Sequence, residues 1–173
     1  TQLWDIGLEV GHSVRSIDEC AELARDDITI ATNLMESRTL SGNPELGVQM
    51  QKATGPDKVW NVVDFFSAKW TEQIARHNKH NNTEYNLEPD IKNAPGGLRD
   101  IQTIGWVAKR YFNANRLSDL VNHGFLTAEE YDMLNAGQSF LWEVRYALHI
   151  LTRRSENRLL FDHQRAVAEI LGY

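Results

Sequence analysis

The chain has 173 residues, 42% of them hydrophobic, with 18 Lys and Arg against 24 Asp and Glu for a formal charge of -6. That length buries a substantial core, the acidic balance argues against a general nucleic-acid binder, and the single Cys20 rules out an intramolecular disulfide or a cysteine-only metal site. No apolar run approaches the roughly 20 residues of a membrane span, and no basic-then-apolar leader opens the sequence, so a cytoplasmic protein without membrane contact is expected.

Taken in chain order, Trp4, Ile6, Leu8 and Val10 alternate with Asp5, Gly7 and Glu9, the period-two pattern of a strand with one apolar face. No second run of this kind follows, so the segment reads as strand-like and cut from a larger sheet. Ser16-Ile17-Asp18-Glu19 has the capping-box form and predicts a helix through Ala24. Residues 27–40 are ambiguous, since Ile28, Thr29, Ile30 and Thr32 favour strand while the following residues tolerate helix, and helix is preferred. Gly42-Asn43-Pro44 is a breaker with Pro44 suited to a first helical turn. From Asp57 to about His80, Val59, Val62, Val63, Phe66, Trp70, Ile74 and His77 recur at three- and four-residue spacing and predict one long amphipathic helix.

A polar loop runs from Asn81 to Gly97. A helix is expected over 98–112, with Ile101, Ile104, Val107, Ala108 and Tyr111 inward, then a short one near Leu117–Asn122. Another starts at the second capping box, Thr127-Ala128-Glu129-Glu130, and a separate one covers Phe140 to about Arg154. Asp162 is expected to cap a last helix ending at Leu171. The architecture is mostly α, a helical bundle with short connections except at the long loop. Trp60, Trp70, Trp106 and Trp142 fall within helical patterns and are expected in the core.

The loop carries the chemistry. In Asp90-Ile91-Lys92-Asn93-Ala94-Pro95-Gly96-Gly97-Leu98-Arg99-Asp100, two glycines at a helix start allow close backbone approach, exposed N–H groups favour an anion, and Lys92 and Arg99 add charge. A phosphate suits such a site. The alternative is a turn whose Asp90, Lys92, Arg99 and Asp100 pair with one another and with helix ends. Glu36, in Glu36-Ser37-Arg38 ahead of Gly42, is a candidate carboxylate for a divalent cation. His77 and His80 lie three apart on one helix, but no third ligand is evident, and helix-end solvation is the simpler reading. His12 reads as a polar residue after the strand-like segment. Neither a His-Asp dipeptide nor a Gly-x-Ser-x-Gly elbow occurs.

Several runs together resemble one family. Leu3-Trp4-Asp5 through Gly11-His12-Ser13-Val14-Arg15, Ala31 to Arg38, Tyr85 to Lys92, Pro95-Gly96-Gly97-Leu98-Arg99-Asp100-Ile101 and Asn157-Arg158-Leu159-Leu160-Phe161 closely resemble the bacterial PII uridylyltransferase/uridylyl-removing enzymes along the whole chain. The resemblance implies an enzyme that transfers UMP from UTP to a tyrosine of the PII signal protein and removes it when glutamine is plentiful. Such enzymes join a nucleotidyltransferase domain, a helical domain, a His-Asp hydrolase domain and two glutamine-sensing domains. Residues 1–42 resemble the end of the first, and 43–173 the second, so the strand-like start is a remnant of the nucleotidyltransferase sheet. The Asp-x-Asp magnesium pair and the hydrolase His-Asp motif are not in this sequence, and the chain is expected to be inactive alone.

Related nucleotidyltransferases, including the glutamine synthetase adenylyltransferases, carry a third metal carboxylate in an acid-x-Arg pattern. That implies Glu36 as a Mg²⁺ ligand, with Glu9 as its rival. They also carry a Lys, Gly-Gly, Arg-acid loop similar to Lys92, Gly96, Gly97, Arg99 and Asp100, which implies a nucleotide-side or domain-positioning role for those residues. Two other readings stand beside this one: a non-catalytic helical spacer that offers PII a docking face, and an adenylyltransferase relative acting on glutamine synthetase. The Asn86-Leu87-Glu88-Pro89 run favours the uridylyl family.

Overall fold

The computed structural model describes residues 2–7, 10–83, 85–114 and 116–173, and its regular structure is helical. Two compact units divide between Asn61 and Val62.

The first unit holds α1 (Gln2–Asp5), α2 (Ile17–Asp26), α3 (Ile28–Met35) and α4 (Pro44–Ala53). Residues 2–5 are therefore helical rather than strand-like: a period-two pattern specifies a strand only where a neighbouring strand takes its hydrogen bonds, and none is present among the described residues. Ser16 and Glu19 close the expected capping box, Ser16 N–H donating to Glu19 Oε2 at 2.7 Å. Asp27 ends α2 and starts α3, its Oδ1 accepting from Thr29 N–H at 2.6 Å. Within the ambiguous segment residues 28–35 are helical, because this cap satisfies the first free donors, whereas 37–40 are not. Asn43 caps α4 with Pro44 in the first turn. Ala24, Ala31 and Val59 form the buried core here, with Ile30, Leu34 and Trp60 packed against it.

The second unit holds α5 (Val62–Asn78), α6 (Leu98–Phe112), α7 (Asp119–Asn122), α8 (Ala128–Thr152) and α9 (Phe161–Leu171). The long helix expected from Asp57 begins only at Val62. Before it, Pro56 lies in a turn, Trp60 adopts a positive φ of 47°, and the Trp60 indole donates to Ala24 O at 2.7 Å, so Val59 and Trp60 belong to the first unit's core. The two helices expected from Thr127 and from Phe140 are one 25-residue helix, α8, which passes through Gly137 without a break. A lone helical glycine costs only about 1 kcal/mol, less than the helix ends that a break would expose. Leu160, not Asp162, occupies the N-cap of α9, and Asp162 sits in its first turn.

Packing within this unit runs α5 on α6, α6 on α8 and α8 on α9. Phe65, Leu98, Leu120 and Leu148 are fully buried, and Ile91, Val144, Ala147, Leu148 and Val167 form one cluster. Of the tryptophans expected inside, Trp106 is buried, whereas Trp70 and Trp142 are about half exposed at 54% and 45%. An antiparallel bridge, Asp90 to Arg158, lashes the long loop to the α8–α9 connection, through Ile91 N–H to Asn157 O at 2.8 Å and Leu159 N–H to Pro89 O at 2.9 Å.

Candidate functional site

Asp90 organises the loop from inside. Its Oδ1 accepts from the N–H groups of Lys92 at 3.0 Å and Asn93 at 2.7 Å, and its Oδ2 from the Asn93 amide at 3.1 Å. The chain then turns at Gly96, whose φ of +76° an L side chain adopts only at a cost, and enters α6 at Gly97. A Cβ on Gly97 would lie 2.9 Å from Ala94 O, 2.9 Å from Ile91 O and 3.0 Å from Lys92 C, so the backbone passes too close for any side chain. Both glycines are thus required by the loop's own path.

The helix-start donors are engaged within the loop. Gly97 N–H donates to Ala94 O at 2.9 Å, Leu98 N–H to Ile91 O at 3.0 Å, Arg99 N–H to Lys92 O at 2.8 Å and Asp100 N–H to Gly97 O at 3.0 Å, while Gly96 N–H donates to Asp100 Oδ2 at 2.8 Å. A helix N-terminus binds an anion through unsatisfied N–H groups, and these five already have acceptors.

Asp100 turns toward α5. It accepts from Arg76 Nη2 at 2.6 Å and from His77 Nε2 at 2.9 and 3.1 Å, and Arg76 Nη1 donates to Asn93 O at 2.8 Å. Burial pushes the Asp100 carboxyl up, but the hydrogen bonds from Arg76, His77 and Gly96, with the Arg76 charge, outweigh it and hold the group below its ordinary range. The ionised carboxylate only accepts, so His77 Nε2 carries the proton in this bond. His77 is thereby a loop-anchoring residue. No group of three His, Cys, Asp or Glu able to hold a metal occurs among the described residues, so His77 and His80 gain no third ligand there.

What remains available is side-chain charge. Burial lowers the Lys92 pKa, and the neighbouring positive charges of Arg99 and Arg145 lower it further against the opposing pull of Asp90. None of the ion pairs among the described residues uses Lys92, Arg99 or Arg145. The loop therefore ties the backbones of Lys92 and Arg99 together, Arg99 N–H donating to Lys92 O, in a turn held by Gly96, Gly97 and Asp100, and Arg145 of α8 lies near enough for its charge to act on Lys92. Arg145 carries no sequence signal, because the α6–α8 packing alone brings it near.

Glu36 lies in the first unit as the exposed C-cap residue of α3. Mg²⁺ takes near-octahedral oxygen ligands; Glu36 offers one carboxylate to such a set, and no acidic cluster stands beside it among the described residues. Glu9, its rival, falls outside the described residues.

A concave apolar groove of about 600 Å³ also runs between α5 and α6, with Phe66, Trp70, Ile104, Tyr111, Phe125 and Lys69 among its lining residues. Lys69 is buried, pairs with Glu72 at 2.8 Å and lies 4.7 Å from the Trp106 ring centre. No helix among the described residues is long and apolar enough to cross a membrane.

Fold and loop together define a helical domain that holds a rigid, cation-bearing Gly-Gly turn. The sequence model of the GlnD PII-uridylyltransferase family matches residues 64–173, nearly the whole second unit, and the chain belongs to that family. Across all 173 residues it is 59% identical to the bifunctional uridylyltransferase/uridylyl-removing enzyme of Pseudomonas fluorescens and 57% identical to those of Stutzerimonas stutzeri and Pseudomonas putida. It spans 19% of the length of each of these curated relatives. No solved structure matches it.

Proposed function

We propose that this chain is the helical part of an enzyme that transfers UMP from UTP to a tyrosine of the PII protein and removes it in response to glutamine, and that it is inactive on its own. Within that enzyme the Gly-Gly loop presents Lys92 and Arg99 to the phosphates of the nucleotide. Gly96, Gly97 and Asp100 serve this role by holding the loop in shape. The observation that carries the reading is a pair of cations on a rigid loop with no carboxylate ion pair among the described residues. When a nucleophile attacks the α-phosphorus, negative charge builds on the departing phosphates, and fixed cations there stabilise the transition state without reorganisation. Mg²⁺ supplies further charge neutralisation when bound with the nucleotide, and Glu36 contributes one carboxylate to a set whose other members belong to other parts of the enzyme.

The test is calorimetric titration of UTP in the intact enzyme and its Lys92→Ala and Arg99→Ala variants, each first shown to melt normally. A loss of about tenfold or more, roughly 1.4 kcal/mol, is expected for each; unchanged affinity in both variants refutes the reading. The apolar groove favours a second reading, a helical module that docks PII. There Trp70→Ala weakens PII binding and leaves UTP affinity intact.

A further inference from the structure

We infer that Arg145 completes the Lys92–Arg99 pair into a three-cation site for a pyrophosphate group, either free or as the terminal phosphates of a nucleoside triphosphate. The inference rests on the proposed phosphate role of the loop and adds a residue to it, Arg145, and the part of the ligand that the three cations hold.

Four observations converge. First, Arg145 is fixed beside the loop: its Nε donates to Asn157 Oδ1 at 2.8 Å, and Asn157 O in turn accepts from the N–H of Ile91, the neighbour of Lys92. With Nε committed, the Nη groups of Arg145 make no hydrogen bond among the described residues, and neither does the Arg99 guanidinium. Second, each guanidinium lies by an indole, Arg99 at 5.3 Å from the Trp106 ring centre and Arg145 at 5.4 Å from that of Trp142. Contact with a ring holds the guanidinium plane and leaves its N–H edges for bidentate bonding to phosphate oxygens.

Third, three partly buried cations gather with no carboxylate ion pair in a chain of net charge -6, although mutual repulsion opposes their approach and the Asp90 oxygens are taken by the Lys92 and Asn93 backbone N–H groups and the Asn93 side-chain amide. Fourth, one turn further along the same helix face, His149 follows Arg145 on α8. The His149 Nε2 atom is buried without a hydrogen-bond partner among the described residues. Three positive charges match the charge of a pyrophosphate more closely than that of a single phosphate.

The test titrates inorganic pyrophosphate and, separately, UTP into the intact enzyme and into Lys92→Gln, Arg99→Gln, Arg145→Gln and Arg145→Lys variants, with melting curves as the folding control. Arg145→Gln is expected to weaken pyrophosphate about tenfold, as Lys92→Gln does, while Arg145→Lys keeps part of the affinity. Should Arg145→Gln lower the melting temperature, pyrophosphate protection of wild-type Arg145 from phenylglyoxal, read by mass spectrometry, decides instead: protection supports the site and equal modification overturns it. Wild-type affinity in Arg145→Gln, with Lys92→Gln and Arg99→Gln impaired, overturns the inference and leaves the nucleotide reading standing. Loss of pyrophosphate binding in all three with UTP unaffected supports the site and refutes the nucleotide reading. A wild-type enzyme that binds no pyrophosphate overturns the inference outright.

Discussion

Replacing Asp100 with Asn tests whether the loop is held from α5. The carboxylate accepts from Arg76, His77 and the Gly96 N–H, and the Arg76 and Asp100 side chains retain only 13% and 17% exposure. Removing one partner of a fully buried pair costs about 3–5 kcal/mol, while an exposed pair contributes about 0–1 kcal/mol. The partial exposure here places Asp100→Asn between them, at about 2–3 kcal/mol, since Asn keeps one acceptor but turns an amide toward Arg76. For a unit of this size each kcal/mol moves the midpoint by roughly 4 °C, so a fall of about 8–12 °C is expected by circular dichroism at pH 7.

The sign with pH is fixed by the same contacts. The folded carboxyl titrates below its ordinary value of 3.8, so its stabilisation is fully present above that pH and is lost as pH falls through the lower folded value. The difference between wild type and Asp100→Asn must therefore vanish in acid. A double-mutant cycle with Arg76→Met should return a coupling of about 1–3 kcal/mol. A variant that melts within about 1 °C of wild type at pH 7, or a cycle with no coupling, would refute the clamp.

Other expectations follow from single contacts. Gly97→Ala must move backbone atoms at 2.9–3.0 Å and should cost about 2–4 kcal/mol, whereas Gly96→Ala meets open space and pays only for its positive φ, about 1 kcal/mol, both read from urea midpoints. Asp27→Ala removes the cap of α3 and should destabilise the first unit by about 1 kcal/mol, with amide exchange rising at Thr29 and Ile30. Lys69→Met keeps the packed stem and leaves Glu72 free to hydrate, so thermal melting should shift by less than about 1 kcal/mol equivalent, while Lys69→Ala opens a void beside Trp106 and costs more.

Local chemistry was readable in the sequence wherever a residue's partner lies within one helical turn. Both capping boxes, Pro44 in a first turn and the bounds of α6 follow from contacts three or four residues apart, which composition and spacing fix. The same holds for the need for two glycines before Leu98, although not for its reason, which is the crowding of Gly97 against Ile91, Lys92 and Ala94. Resemblance of the motifs pointed to the family that the whole-chain identity bears out.

Tertiary structure decided everything that depends on distant partners. Helix cooperativity carried α8 through Gly137, the Trp60–Ala24 bond held Val59 and Trp60 out of α5, and the lack of a neighbouring strand among the described residues left 2–5 helical. Asp100 reads as a ligand group in sequence, yet Arg76 and His77, on another helix, claim it. Arg145 joins Lys92 and Arg99 only because α8 packs on α6 and Asn157 bonds to the loop. Charges far apart in sequence become one electrostatic site through packing alone, and no local pattern encodes that distance.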